Sequence, residues 1–391
     1  MPLQPRPPRR APAGAAGARG RDAPDPRRHR GPHLRRCRQP RPDQGGRGEP
    51  AGERCADSQA RAGRDPAYLV TLGTPSRTPE ARAMTTATHS TLFYDGPRQY
   101  ADEVGGVLRD ALLRGHRGLV MAPARRVDAL RSALGRDADE VTFVEDTVAY
   151  APQWNVYRVL LDFAAKAKGV RTCAIAEQTL SARTPAEVLD YQRLEAAINL
   201  VFADHDVDLL CPYDAGTLPS HLLDIGRHTH DALRTGGAMS QNAGYDEPMA
   251  MLAGLSAVVA APRDSITVDC SSPADVSTAR RMVRDLGADL RLDPDVVADM
   301  ALAVTEVLTN ALLHGGPPAM LHIYESGPTW VCHVQDSGRD ALDPLVGLLP
   351  PAMPSDHGYG LWLARQLCSA VDVGTDDSGT HVRLHIRTTA A

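Results

Sequence analysis

The sequence predicts an α/β protein of two units behind a segment that builds no core. Three observations carry this: residues 89–246 alternate short apolar runs with amphipathic stretches, residues 264–388 place two helices ahead of paired strands, and residues 1–83 are dominated by Arg, Pro, Gly and Ala. Strands alternating with helices give βαβ units and a parallel sheet, whereas helices grouped before strands give a sandwich with helices on one sheet face.

Residues 1–83 hold 18 Arg, no Lys and 8 acidic residues, a charge of +10, and their long apolar side chains are isolated, as in YLVTL. Such a stretch cannot bury enough apolar surface to offset chain entropy and is expected to be a disordered tail. Met84 opens a sequence of ordinary globular composition, so the tail reads either as a basic arm for nucleic acid or as a product of start-site choice. The other 308 residues carry 25 basic and 40 acidic side chains, a charge of −15. That balance removes any global electrostatic reason to bind a polyanion, and no direct nucleic-acid contact is expected of them.

The N-terminus lacks an apolar h-region, so no secretory signal is expected. The seven Cys include no CxxC pair and fit reduced thiols. No run approaches the roughly 18 apolar residues of a membrane span; the most apolar stretch runs from Met249 to Pro262. These features lead to the expectation of a cytoplasmic protein without a membrane partner.

Within 84–246, strands are expected at GLVMAP (118–123), VTFVED (141–146), RTCAIAE (171–177) and VDLLCPYD (207–214), with helices in YADEVGGVLRDALLRG, RVDALRSALG, NVYRVLLDFAAKAKG and AEVLDYQRLEAAINLVFADH. Residues 247–263 read as an Ala-rich linker flanked by Pro248 and Pro262. Within 264–391, the strand SITVDC precedes helices over 274–290 and 293–314. The strands MLHIYES and TWVCHVQD, a loop over 337–357, a helix from 358 to about 371 and the strand THVRLHIR follow. Val297, Met300, Ala301, Val304, Leu308 and Ala311 recur at helical spacing and mark a core face.

Three short motifs carry chemistry. Glu306 and Asn310 are four apart on one helix and project from the same face. A carboxylate beside an amide oxygen suits an acid/base group next to a ligand for Mg²⁺; alone, the pair also reads as a surface Glu with a helix-ending Asn. Asp336 ends a strand and Gly338 follows, an arrangement that can accept a hydrogen bond from an exocyclic amine or form an ordinary turn. Gly358 and Gly360 open a helix whose backbone N–H groups can cradle phosphates. No Lys occurs in this unit, which excludes a P-loop-type phosphate contact.

E-x-x-x-N on a helix, D-x-G after a strand, a loop of about 20 residues, G-x-G-L opening a helix and Gly379-Thr380 before a strand closely resemble the GHKL ATPase superfamily. TEVLTNALLHG is similar to the helix of anti-sigma-factor serine/threonine kinases of the RsbW type, and the resemblance to their ATPase domain covers about 125 residues. The resemblance implies the α/β-sandwich (Bergerat) fold and bound ATP and Mg²⁺. Glu306 would be the general base and Asn310 the Mg²⁺ ligand. Asp336, assisted by Thr380, would bind adenine, and Gly338, Gly358, Gly360 and Leu361 would line the rest of the ATP site. It also implies a sigma factor and an anti-sigma antagonist as protein partners, and is compatible with a homodimer. Where many relatives read D-x-G-x-G, Arg339 and Asp340 follow Gly338 here. A non-catalytic module that acts by sequestration therefore stays as the alternative. Histidine kinases share the fold but need a phosphoacceptor His on a helical hairpin, and the connector here contains Pro248, Pro262 and no His.

Residues 84–246 resemble the MEDS domain of DcmR-type sensory proteins in HSTLFYDG, in RLEAAINL with Glu195 and Asn199, in LLCPYDAGTLP and in RHTHDAL. This implies a RecA-like α/β core that senses a small organic ligand. GLVMAPARRVDAL contains no G-x-x-x-x-G-K-[ST], so no second ATP site is expected. Candidate ligand groups are His89, Tyr94, Glu177, Cys211, Tyr213, His228 and His230. Open α/β sheets bind ligands at the carboxyl ends of their strands, where Glu177, Cys211, Tyr213 and Asp214 fall. The His and Cys residues lack zinc-finger spacing, so an organic pocket is favoured over a metal, with Cys211 read as a small buried apolar residue.

Overall fold

The computed structural model describes residues 87–256, 258–340, 342–348 and 359–388. The expected tail and Gly358 lie outside them. Both sheets below belong to one compact unit.

The first sheet is built from β1 (Thr88–Tyr94), α1 (Gly96–Leu113), β2 (Arg117–Ala122), α2 (Ala124–Leu134), β3 (Val141–Glu145), α3 (Asp146–Ala149), α4 (Asn155–Lys166), β4 (Thr172–Ala176), α5 (Pro185–Val201), β5 (Val207–Asp214), α6 (Ser220–Thr229), β6 (Ala232–Thr235) and β7 (Ala238–Gln241). Its order is β3-β2-β4-β5-β1-β6-β7. All neighbours are parallel except the β6–β7 hairpin. Nearly every residue of β2, β4 and β5 is buried, as expected for strands covered by helices on both faces. The chain leaves β1 toward β2 on one side and β5 toward β6 on the other, so the carboxyl ends of β1 and β5 flank a topological switch point.

The second sheet is antiparallel, in the order β11-β12-β10-β9-β8. It comprises β8 (Ile266–Cys270), β9 (Ala319–Ser326), β10 (Thr329–Asp336), β11 (Ala370–Asp376) and β12 (Gly379–Arg387). Its core joins alternate strand residues such as Leu321, Cys332, Val373 and Leu384 to Val283, Val304 and Ala364. Those three come from helices named here α8 (Pro273–Asp289), α9 (Pro294–Asn310) and α10 (Tyr359–Leu367), with α7 reserved for Pro248–Gly254. This is the α/β sandwich the motif order implied.

Three expectations need correction. The last helix stops at Leu367 rather than near 371, because Ala370–Asp376 pairs with β12 as a strand. The expected linker contains α7, whose Leu252 is buried in the core of the first sheet. Among the described residues one stretch, Pro294–Gly315, is long and apolar enough to cross a membrane by length and composition. It is α9 with a terminal π turn, and it buries Met300, Ala301, Val304 and Leu308 in the core of the second sheet.

α5 lies between the two sheets. It starts at a capping box, in which Thr184 and Glu187 satisfy each other's backbone N–H groups, with Pro185 in the first turn. One face of α5 offers Glu187, Asp190 and Arg193 to the second sheet. Arg193 bonds Asp372 Oδ1 at 2.8 Å, Arg365 bonds Asp190 Oδ1 at 2.6 Å, and Arg387 pairs with Glu187. Trp154 donates to Asp190 at 2.7 Å and lies under the Arg365 guanidinium. The segment after β10 joins both cores: Leu342 and Val346 pack on the second, Leu345 and Leu348 on the first.

Candidate functional site

Asp293 caps α9, its carboxylate accepting from Asp295 N at 2.8 Å, and Pro294 fills the first turn. The helix carries Glu306 and Asn310 to its far end on one side. The opening turn of α10 rests on these two residues. A Cβ on Gly360 would lie 2.7 Å from Asn310 Nδ2 and 3.4 Å from Glu306 Oε2. Only glycine brings that helix start so close, and it leaves the backbone bare beside a carboxylate and an amide. Glu306 is half-buried, and burial raises its carboxyl above the ordinary glutamate range.

Asp336 ends β10 directly opposite Thr380 on β12. Its Oδ1 accepts from Gly338 N at 2.8 Å, and Thr380 Oγ1 donates to Gly338 O at 3.0 Å. Gly315, Gly338 and Gly379 crowd this carboxylate and its backbone so closely that a side chain at any of them would collide with Asp336. Burial raises the Asp336 carboxyl, opposed by the Gly338 N–H. The π turn Ala311–Gly315 brings Gly315 to the site, where Ser337 Oγ holds its carbonyl at 2.9 Å. Gly315 lies in the TEVLTNALLHG motif but was not singled out by sequence; its position after His314 was the available signal.

The expected ATP-site residues thus fall into two described groups, Glu306–Asn310–Gly360 and Asp336–Gly338–Thr380, while Leu361 touches Gly347 beyond β10. The first sheet divides its candidates differently. Tyr94 donates to Glu177 at 2.8 Å, and Arg126 bonds Glu177 at 3.4 Å and Asp214 at 2.6 Å. The Arg126 guanidinium also lies 4.8 Å from the Tyr94 ring centre and 5.1 Å from that of Tyr100. Arg126, which sequence reasoning missed, thus reaches from α2 to the carboxyl ends of β4 and β5, where a pocket was expected. A cleft of about 330 Å³ lies elsewhere, beside α1, with Asp102, Asp110, Arg114, His116 and Arg234 in its wall.

Tyr213 packs edge-on against the His230 ring at 6.0 Å, with its hydroxyl 3.0 Å from that of Tyr191, and His228 pairs with Asp246 at the surface. His89, Cys211 and His230 are brought together around Glu195 of α5, although their spacing in sequence forms no metal motif.

Residues 88–231 match the family model described as the MEthanogen/methylotroph, DcmR Sensory domain, MEDS, and residues 270–386 match the Histidine kinase-like ATPase domain. No curated protein matches the chain. Among solved structures, the RsbU and RsbW domains of Rv1364c from Mycobacterium tuberculosis align at 21% identity. That alignment covers 32% of this chain and 33% of that one, with a TM-score of 0.25.

Proposed function

From a MEDS domain joined to a histidine kinase-like ATPase domain, we propose a cytoplasmic regulator whose ATPase domain is an ATP- and Mg²⁺-dependent serine/threonine kinase of anti-sigma-factor type. It phosphorylates an anti-sigma antagonist, holds a sigma factor, or does both, under control of a small organic ligand at the sensory domain. The observation that carries this reading is the seat of Gly360 on Glu306 and Asn310, which sets a bare helix start against a half-buried carboxylate. ATP with Mg²⁺ supplies the phosphoryl group and the charge neutralisation it needs. Asn310 would hold the ion and Asp336 with Thr380 the adenine, while the α10 N–H groups face the phosphates. Glu306 takes the proton of the attacking hydroxyl as its oxygen bonds the γ-phosphorus, and ADP leaves. The acceptor is a protein Ser or Thr, because the connector offers no His.

Control through α5 is supported by its contacts. The helix holds β11, α10 and β12 through Arg193, Asp190 and Glu187. The segment after Gly338 is shared by the two cores. Arg339 and Asp340 favour a second reading, nucleotide binding without transfer. The deciding experiment incubates the chain and its antagonist with labelled ATP. Wild type is expected to label a Ser or Thr, and Glu306→Ala to abolish labelling while nucleotide binding by calorimetry persists. Labelling at wild-type rate by Glu306→Ala defeats the assignment. Binding without labelling by wild type selects the second reading.

A further inference from the structure

Four buried side chains from four elements converge inside the first domain: His89 of β1, Glu195 of α5, Cys211 of β5 and His230 just after α6. Their exposures run from 0 to 5%. His89 Nε2 lies 3.4 Å from Cys211 Sγ and 3.3 Å from Glu195 Oε2, and His230 Nε2 lies 3.5 Å from Glu195 Oε2. One ligand atom from each lies within 4.8 Å of every other.

The surrounding hydrogen bonds fix what those atoms are. His230 Nδ1 is 3.0 Å from the Gly226 carbonyl, which can only accept, so that nitrogen carries the proton. Asn199 spends its amide N–H groups on the carbonyls of Glu195, Ala196 and Thr229. Its Oδ1 therefore accepts from His89 Nδ1 at 3.1 Å. In its neutral form each imidazole, protonated at Nδ1, turns an Nε2 lone pair toward the same point as a carboxylate oxygen and a sulfur. Glu195 Oε2 and His230 Nε2 find no hydrogen-bond partner there. The Cys211 thiol supplies one donor, on His89 Nε2, so those two remain converging acceptors that nothing satisfies; that is costly in a dry interior, and a cation that displaces the thiol proton to solvent removes the cost. Bonds of about 2.0–2.3 Å to a tetrahedral ion place ligand atoms about 3.3–3.6 Å apart, which the three measured separations match.

We propose that His89, Glu195, Cys211 and His230 form a closed four-ligand site for a divalent transition ion of the zinc class. Two imidazoles, a thiolate and a carboxylate suit such an ion and not Mg²⁺ or Ca²⁺. Four protein ligands and full burial mark a structural centre without an open position. Asn199 and the Gly226 carbonyl are the orienting groups behind the two imidazoles. The site is independent of the kinase reading, since none of its residues belongs to the ATPase domain.

The test uses the full chain, stripped with a chelator and titrated with Co²⁺. One ion per chain is expected, with thiolate-to-metal absorption in the near ultraviolet and the visible bands of tetrahedral Co²⁺. Cys211→Ser should lose the thiolate band, Glu195→Gln should weaken binding at least tenfold with the band kept, and Asn199→Ala should weaken it about 10–100-fold. A wild-type chain that gains no thiolate band overturns the proposal whatever the variants do. So does a band that survives Cys211→Ser. Should Cys211→Ser not fold, unchanged Co²⁺ affinity in Glu195→Gln overturns it.

Discussion

Glu306 shows how burial prepares one side chain for two consequences. Its carboxyl is raised above the ordinary range by desolvation alone, so the proton-accepting form is lost on the acid side at a higher pH than an exposed glutamate would dictate. The kcat/KM profile for phosphate transfer should therefore fall at a pH above the usual Glu value. A raised pKa also means that ionisation costs stability, a cost that sets in as pH rises from the unfolded toward the folded value. Glu306→Gln should thus melt slightly higher at neutral pH, by about 0.5–1 kcal/mol, while transfer is lost. Asp336→Asn should reduce nucleotide affinity about tenfold or more in calorimetry, since it removes a charged acceptor. Glu306, Asn310 and Asp336 were readable because spacing on a helix and position at a strand end survive in sequence. Arg126 was not: nothing in ARRVDAL distinguishes the arginine that folds inward from its exposed neighbour Arg125.

At the scale of elements, legibility followed apolar pattern. β2, β4 and β5 are nearly continuous apolar runs, and the core face of α9 repeats at helical spacing. β6 and β7 are four residues each and contain no buried residue, so neither shows a core-facing pattern. The hairpin did leave a signal in Gly236 and Gly237, both at positive φ as a two-residue turn requires. β11 was partly absorbed into the preceding helix, although Val371 and Val373 alternate as a strand does. The four candidate metal ligands come from β1, α5, β5 and the end of α6, and no local spacing records a group assembled by the fold. α5 itself was legible as a helix but not as a bridge, because its buried charges resemble a solvated face. Breaking one of its pairs undercuts a buried charge: Arg365→Met leaves Asp190 with the Trp154 N–H and a longer 3.7 Å contact to Arg193, and should cost about 3 kcal/mol in denaturant unfolding.

Over the whole molecule, the contact between the sheets is ionic and buried. Burial pushes the Asp372 carboxyl up, but the His385 hydrogen bond and the guanidinia of Arg193 and Arg383 outweigh it and hold it well below the usual Asp range. Its stabilising contribution is therefore present above the unfolded-state pKa and lost only as pH falls through the depressed folded value. Acid unfolding of Asp372→Asn, followed by circular dichroism, should begin at a higher pH than that of wild type. The acidic balance of residues 84–391 fits the same picture, with arginine spent on internal pairs. The partners across α5 are also far apart in the chain, 175 residues for Asp190 and Arg365 and 200 for Glu187 and Arg387. At about 5–20 residues per second on the ribosome, Glu187, Asp190 and Arg193 wait on the order of ten to forty seconds for their counterions. During synthesis the first-sheet half thus presents a charged, half-finished seam, and only the last strand to emerge closes it.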